Sequence, residues 1–126
     1  MEISAVGVSA TDLPRAVAFY ELLGFRFPPV QPGEDHVESE GPGARLMLDT
    51  AELLTGLLGG PPRPGNTAAF AVRCAGPVQV DELAAKVAGA GHTVVTAPWD
   101  APWAQRYATV ADPDGYRVDL YAPLSG

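Results

Sequence analysis

The sequence is poor in residues that form disulfides, bind metals or contact nucleic acids. It has one cysteine, Cys74, and two histidines among 126 residues. A lone cysteine cannot form an internal disulfide, which agrees with a reducing compartment, and we expect Cys74 to be a small, inert filler. The eight basic residues, of which only Lys86 is a lysine, are scattered, and the net charge is −7. Because phosphate binding needs clustered Lys and Arg, the composition argues against a nucleic-acid partner.

Long apolar runs are also missing. No run approaches the roughly 20 residues needed to cross a bilayer. Residues 1–9 lack a basic segment followed by a long apolar core, so we expect no secretory signal, no membrane partner and a cytoplasmic location. Hydrophobic residues at 47% and charged residues at 18% predict an ordinary globular domain. The acidic balance gives a weak preference for a cationic ligand.

The first half of the chain has the pattern β-α-β-β-β. Asp12 provides N-cap chemistry for a helix, with Pro14 just inside its start and Gly24 at its end. Apolar residues recur at helical spacing between them. The predicted strands of this half are residues 3–9, 25–29, 36–40 and 45–50.

The second half repeats the same order. An apolar stripe from Val80 to Val87 predicts a helix, and Gly89 and Gly91 end it. Residues 112–115, Asp-Pro-Asp-Gly, form a strong turn signal between the last two strands. The predicted strands of this half are residues 67–73, 93–96, 106–110 and 116–121.

Together these patterns predict an α+β fold made of two βαβββ modules. The breaker-rich residues 59–65 are the predicted linker between a first module of about residues 1–58 and a second of about residues 66–124. Each module is a curved sheet with a helix on its back, and we expect the two to form a curved mixed sheet that encloses a groove. Uncovered sheet edges favour a homodimer.

Two motifs resemble the vicinal-oxygen-chelate superfamily, which includes glyoxalases, dioxygenases and bleomycin-resistance proteins. Residues 12–25 are similar to its opening motif, and residues 111–120 are similar to its closing hairpin. The resemblance covers nearly the whole chain. It implies the fold, but the superfamily contains lyases, dioxygenases, epimerases, thiol transferases and drug-binding proteins, so it does not select one activity.

The metal positions of the superfamily discriminate among these activities. The resemblance places them near Ala5 and Thr67 on the opening strands, and near Met47 (or its neighbours Leu48 and Asp49) and Asp119 on the closing strands. Ala5 has no donor atom, Thr67 is a poor ligand, and one carboxylate cannot hold a divalent ion. We therefore expect no metal site and no cofactor.

Residues 97–107 carry two tryptophans and resemble a segment of the bleomycin- and mitomycin-resistance branch. We read this segment as a loop stiffened by Pro98 and Pro102. The resemblance implies that Trp103 forms one wall of a ligand pocket and that His36 belongs to the opposing wall. Ala104 stands where that branch has glycine, so we expect the loop to adopt positive φ less readily.

The candidate ligand contacts combine aromatic, acidic and thioether side chains. They are His36, Glu38, Met47, Asp49, Trp99, Trp103, Tyr107 and Asp119. Several have structural alternatives: Trp99 as packing beneath the loop, His36 as a solvent-exposed residue, and Asp119 as an ion-pair partner of Arg106 or Arg117. Gln105, Arg106 and Tyr107 are expected to tie the loop to the sheet, and any of them could donate a hydrogen bond inward.

The favoured function is metal-free binding and sequestration of a planar or cationic antibiotic, or of a related metabolite. Flat ligands gain roughly 0.5–1.5 kcal/mol per aromatic contact beyond burial, and π-faces and carboxylates attract cations. One alternative is a metal-free enzyme that uses Asp119 or His36 as a general base. A metal-dependent lyase or dioxygenase with nonstandard ligands is a further alternative.

Overall fold

The structure, a computed structural model, describes residues 1–65 and 69–124. It consists of two compact units, residues 1–64 and 65–126. Thr67, one of the predicted metal-position residues and the predicted start of a strand, lies outside the described residues. The two units are described in turn.

The first unit, residues 1–64, has a mixed sheet of three strands and two helices. Its elements are β1 (Ala5–Ala10), α1 (Leu13–Leu22), β2 (His36–Glu38), β3 (Arg45–Thr50) and α2 (Ala51–Leu58). The strand order is β1-β3-β2, with β1 parallel and β2 antiparallel to β3. The predicted helix signals are confirmed: the Asp12 carboxylate accepts a hydrogen bond from the Arg15 backbone N–H at 3.1 Å, and Gly24 follows the helix with φ +100°.

Two predictions for this unit were wrong. Residues 25–29 do not form a strand, and only Arg26 makes an isolated bridge, to Glu40. Pro28 and Pro29 end this extended segment because proline has no N–H to donate to a sheet. Helix α2 was not predicted, although Thr50 caps it by accepting from the Leu53 N–H at 3.2 Å.

The second unit follows the predicted βαβββ order. Its elements are β4 (Phe70–Arg73), α3 (Pro77–Gly89), β5 (Thr93–Ala101), β6 (Gln105–Ala111) and β7 (Arg117–Pro123). The strand order is β4-β7-β6-β5, with β4 parallel to β7 and the other pairs antiparallel. The turn at residues 112–115 is confirmed: the Asp112 carboxylate accepts from the backbone N–H groups of Asp114 and Tyr116, both at 2.9 Å.

The loop predicted at residues 97–107 is mostly strand. β5 continues through Trp99 to Ala101, and only residues 102–104 connect it to β6. Ala104, the last of the three, has φ +63°. Alanine therefore adopts positive φ here, although this region of φ costs alanine more than it costs glycine. A three-residue hairpin connection places its last residue in the left-handed region whichever side chain it carries.

Alternation along the strands separates a buried face from an open face in each unit. In the second unit, Ala108, Val110, Val118 and Leu120 are fully buried, and α3 lies against β5, β6 and β7. The intervening residues, Tyr107, Thr109, Asp119 and Tyr121, therefore occupy the opposite, open face.

In the first unit, Leu46, Leu48 and Val37 are buried, so Met47, Asp49, His36 and Glu38 share the other face. The two mixed sheets and three helices of the described residues form the predicted α+β fold. Within that part of the chain, no helix is long and apolar enough to span a membrane. The homodimer stays a prediction.

Candidate functional site

Three aromatic side chains of the second unit form a continuous group, which we call the aromatic cluster: Trp99, Trp103 and Tyr107. The register of β5 and β6 sets Trp99 directly opposite Tyr107, and the connection between these strands places Trp103 beside both. The Trp103 ring lies 5.6 Å from that of Trp99 and 5.4 Å from that of Tyr107, with interplanar angles of 87° and 84°. Such edge-to-face pairs are a favourable arrangement of aromatic quadrupoles.

The aromatic cluster remains open to solvent. Trp99 is 40% exposed and Trp103 is 53% exposed. The alternative that Trp99 is packing beneath a loop therefore does not hold, because it lies on a strand with much of its indole accessible. Large aromatic surfaces left in water are costly, and tryptophan is among the residues enriched where ligands and partners bind.

Hydrogen bonds fix two polar atoms of the aromatic cluster, the Trp103 indole nitrogen and the Tyr107 hydroxyl oxygen. The Trp103 indole N–H donates to Gln105 Oε1 at 3.0 Å. The Tyr107 hydroxyl donates to Asp119 at 2.5 Å, and the Thr109 hydroxyl donates to the other Asp119 oxygen at 2.8 Å. Burial and, secondly, the bond to Asp119 raise the pKa of Tyr107 to about 12. Tyr107 therefore stays a neutral donor at physiological pH.

Asp119 does not form the ion pair considered from the sequence. Arg106 instead contacts Asp81 of α3 at 3.0 Å and Asp100 of β5 at 3.1 Å. Arg106 follows Gln105 in β6 and so points to the helix-covered side of the sheet, away from Asp119. Among the residues described, Asp119 has two hydroxyl donors and no cationic partner.

A second group, which we call the imidazole cluster, lies on the open face of the first unit: His36, Glu38, Arg45 and Asp49. His36 Nδ1 is 2.6 Å from Asp49 Oδ1, and His36 Nε2 is 2.7 Å from Glu38 Oε2. Arg45 donates to the other oxygen of Glu38 at 2.8 Å. The strand register explains the grouping, since His36 is paired with Asp49 across β2 and β3.

This geometry favours the imidazolium form of His36. Only the cation can donate to both carboxylates at once, and these two bonds, first that of Asp49 and then that of Glu38, raise the pKa of His36. The bond from His36 is likewise the main reason that the pKa of Glu38 is lowered. With His36 protonated, the two cations and two carboxylates of the imidazole cluster balance one another.

The residues at the superfamily's metal positions do not fit a divalent ion. Ala5 begins β1 and offers a methyl group, while Met47 in β3 offers a thioether beside Gly7. Both oxygens of Asp119 accept from hydroxyls. Within residues 1–65 and 69–124, no group of three or more His, Cys, Asp or Glu side chains is placed to hold a metal ion.

The predicted site residues thus fall into two groups, one in each unit. Trp99, Trp103, Tyr107 and Asp119 lie together in the second unit, and His36, Glu38, Met47 and Asp49 share the open face of the first. Two residues that bond to these predicted site residues were not themselves predicted. Arg45 and Thr109 were read only as strand residues, although the register that sets Thr109 opposite Asp119 contains the signal.

Comparison with known proteins identifies the family. The sequence profile of the Glyoxalase/Bleomycin resistance protein/Dioxygenase superfamily matches residues 2–120. The chain belongs to this superfamily, as its motifs predicted. A comparison with curated proteins finds no significant match.

Solved structures share the fold over nearly the whole chain. A glyoxalase/bleomycin resistance protein/dioxygenase from Nocardioides is 27% identical, with a TM-score of 0.74 over 100% of this chain and 85% of that one. TioX from Micromonospora sp. ML1 is 25% identical, with a TM-score of 0.68 over 98% and 100%. Lactoylglutathione lyase from Agrobacterium tumefaciens is 18% identical, with a TM-score of 0.69 over 96% and 92%, and at this identity the likeness concerns the fold alone.

Proposed function

We propose that this protein binds a planar, antibiotic-like small molecule without changing it covalently, and that the aromatic cluster is the main contact surface. The observation that carries the proposal is the exposure of two tryptophans that nevertheless hold a defined geometry with Tyr107. A flat ligand on this surface would gain roughly 0.5–1.5 kcal/mol per aromatic pair beyond the area it buries.

The aromatic cluster is held in place before any ligand arrives. The indole N–H of Trp103 is bonded to Gln105, and the Tyr107 hydroxyl is bonded to Asp119. Pro98 and Pro102 restrict the backbone beside the two tryptophans. Rings fixed in this way lose little conformational entropy on binding, so more of the stacking energy appears as affinity.

Charge gives a weaker guide to the ligand than ring shape does. Glu38 and Asp49 have cationic partners of their own, so they would exert little pull on a cationic drug. Asp119 has hydroxyl donors and no ion pair among the described residues, so it is the carboxylate that would favour a positive group near the aromatic cluster. We therefore propose planarity as the main requirement and positive charge as a secondary preference.

We propose a second set of ligand contacts in the first unit, separate from the aromatic cluster: His36, Glu38, Met47 and Asp49. They lie on an open sheet face, and the His36 side chain is 41% exposed with its ring orientation fixed at both nitrogens. An imidazole held in this way can offer its face to an aromatic ligand. His36→Gln tests this contribution separately from the variants of the aromatic cluster.

The hydrogen bonds of His36 and Asp119, the two candidate general bases, favour non-covalent binding over catalysis. A general base needs an atom within hydrogen-bond reach of a substrate proton. Both ring nitrogens of His36 are hydrogen-bonded to carboxylates, and both carboxylate oxygens of Asp119 accept hydrogen bonds from hydroxyls. These atoms are therefore already engaged within the protein. The biological role we propose is sequestration of a toxic compound by a homodimer, in line with the bleomycin-resistance members that the superfamily name includes.

The test is a titration of planar antibiotics followed by tryptophan fluorescence, with each ligand recovered afterwards and its mass determined. We expect quenching with micromolar or tighter affinity and recovery of the ligand unchanged. Trp103→Ala should weaken binding roughly tenfold or more, which corresponds to about 1.4 kcal/mol. Tyr116→Ala, an aromatic truncation at the opposite end of the β6–β7 hairpin, is the control and should bind normally.

Two results would reject the proposal. Consumption of the ligand would show an enzyme, and equal losses in the Trp103→Ala and Tyr116→Ala variants would show that the aromatic cluster is not the contact surface. Elemental analysis of the purified protein tests the metal-dependent alternative.

A further inference from the structure

Gln105 holds a hydrogen-bond donor beside the aromatic cluster that the protein itself does not use. Its side-chain oxygen accepts from the Trp103 indole at 3.0 Å. An indole N–H can only donate, so the oxygen of the Gln105 amide must be the atom that faces it, and the NH2 group must be on the other side. The orientation of this amide is therefore set by chemistry.

The amide NH2 of Gln105 has no hydrogen-bond partner among the residues that the structure describes. The side chain is half-buried at the start of β6, directly after the connection that carries Trp103. Water can satisfy the group in the free protein. A ligand lying on the indole would displace such water and could then accept from the NH2 group in its place.

Two hydroxyl groups on the open face beside the aromatic cluster are already engaged. The hydroxyls of Tyr107 and Thr109 both donate to Asp119. Arg106 points to the other, helix-covered side of the sheet, where it donates to Asp81 and Asp100. Unlike these hydroxyls, the amide NH2 of Gln105 is a donor next to the Trp103 indole that is not committed to an acceptor among the described residues.

We propose that Gln105 is a specificity-determining residue, which selects planar ligands that carry a carbonyl oxygen at the ring edge by donating its amide N–H to that oxygen. This inference rests on the proposed binding function and adds to it the polar group that the ligand must carry. A neutral amide–carbonyl bond replaces bonds to water, so the expected gain is modest, about two- to tenfold in affinity.

The test uses two neutral planar probes, fluorenone and fluorene, which differ by one carbonyl group, and measures their affinities by equilibrium dialysis. Their ratio in the wild type includes a difference in hydrophobicity. The decisive quantity is therefore the change in that ratio on substitution. Gln105→Glu is the sharpest variant, because the carboxylate still accepts from the Trp103 indole but can no longer donate.

For Gln105→Glu we expect the fluorenone-to-fluorene affinity ratio to fall about two- to tenfold. Near-ultraviolet circular dichroism should show the tryptophans in their wild-type arrangement. Gln105→Met removes donor and acceptor together, so it should lower the ratio and also weaken fluorene binding. Comparing the two variants separates loss of the donor from carboxylate repulsion of the carbonyl.

The failure of this inference differs from the failure of the proposed function. If both probes bind in a Trp103-dependent manner and the ratio is the same in wild type and in both Gln105 variants, the donor assignment is wrong while the binding function stands. If neither probe binds the wild type, or if Trp103→Ala binds both as tightly as the wild type, the proposed function fails and this inference fails with it.

Discussion

Ala104 is in a conformation that alanine tolerates poorly, and replacing it with glycine should stabilise the protein. Its φ of +63° lies in the left-handed region, and the backbone is held there by bonds from its N–H to Ala101 and from the Leu124 N–H to its carbonyl, at 3.1 and 3.0 Å. The left-handed conformation costs an L-residue roughly 1–2 kcal/mol. Glycine avoids this cost but loses roughly 0.5–1 kcal/mol of additional backbone entropy on folding.

The difference between the midpoints of these two ranges predicts that Ala104→Gly raises the free energy of unfolding by roughly 0.75 kcal/mol. For a domain of this size, the midpoint of thermal unfolding should rise by about 2–5 °C. Urea denaturation and a thermal scan measure both quantities. The matched control is Ala18→Gly on the exposed side of α1. Residue 18 has ordinary helical φ, so glycine relieves no strain there and its backbone entropy should destabilise the protein by roughly 0.5–1 kcal/mol.

The opposite signs of the two substitutions are the core of this prediction. If Ala104→Gly destabilises the protein as Ala18→Gly does, the connection between β5 and β6 does not store the inferred strain. A third variant, Ala104→Val, should be less stable than the wild type, since a β-branched residue is a more serious outlier at positive φ.

Three further predictions concern ionisation and packing. The pKa of His36 is raised in the folded state, so its ion pairs stabilise the protein fully below the unfolded pKa of about 6.5 and no longer do so once the pH exceeds the folded pKa. The difference in unfolding free energy between the wild type and His36→Gln should therefore shrink from about pH 6 to pH 9. A difference that widens would contradict the assignment. In the wild type the pKa of Tyr107 is raised to about 12, and ultraviolet titration of Asp119→Asn should show a lower pKa that still exceeds the usual value of 10.0, because burial is the larger cause. The Tyr107→Phe variant identifies which transition belongs to Tyr107. A Tyr107 transition that is unchanged in Asp119→Asn would refute the role of that carboxylate. Leu120→Ala removes a fully buried side chain and should cost about 2–5 kcal/mol in urea denaturation, whereas a loss under about 1 kcal/mol would show loose packing there.

The fold could be predicted wherever local chemistry and periodicity agree. Asp12, Pro14 and Gly24 define one helix, and residues 112–115 define a turn without reference to distant parts of the chain. Helix α2 was missed because residues 51–58 follow β3 directly, so Thr50 reads as a strand residue although it is also the N-cap. Residues 25–29 were wrongly assigned as strand because apolar character outweighed the two prolines.

The site residues were identifiable by type, whereas their partners depended on register. Trp99 and Tyr107 are equally spaced from Trp103, so a hairpin centred on that residue sets them opposite each other. Reading residues 97–107 as a loop concealed this symmetry. The bonds of Asp119 to Tyr107 and Thr109 depend on how β6 aligns with β7, and one residue of slippage would turn these side chains to opposite faces of the sheet.

The chain has two tryptophans, and both belong to the aromatic cluster. With ring centres 5.6 Å apart, the two indoles are close enough for their excited states to couple, so they respond to light as one chromophore pair. Because the sequence has no other tryptophan, no other indole contributes to that signal. The protein therefore carries an intrinsic optical reporter at the very surface where we place its ligand, and a change in the mutual orientation of the rings can be followed without any label.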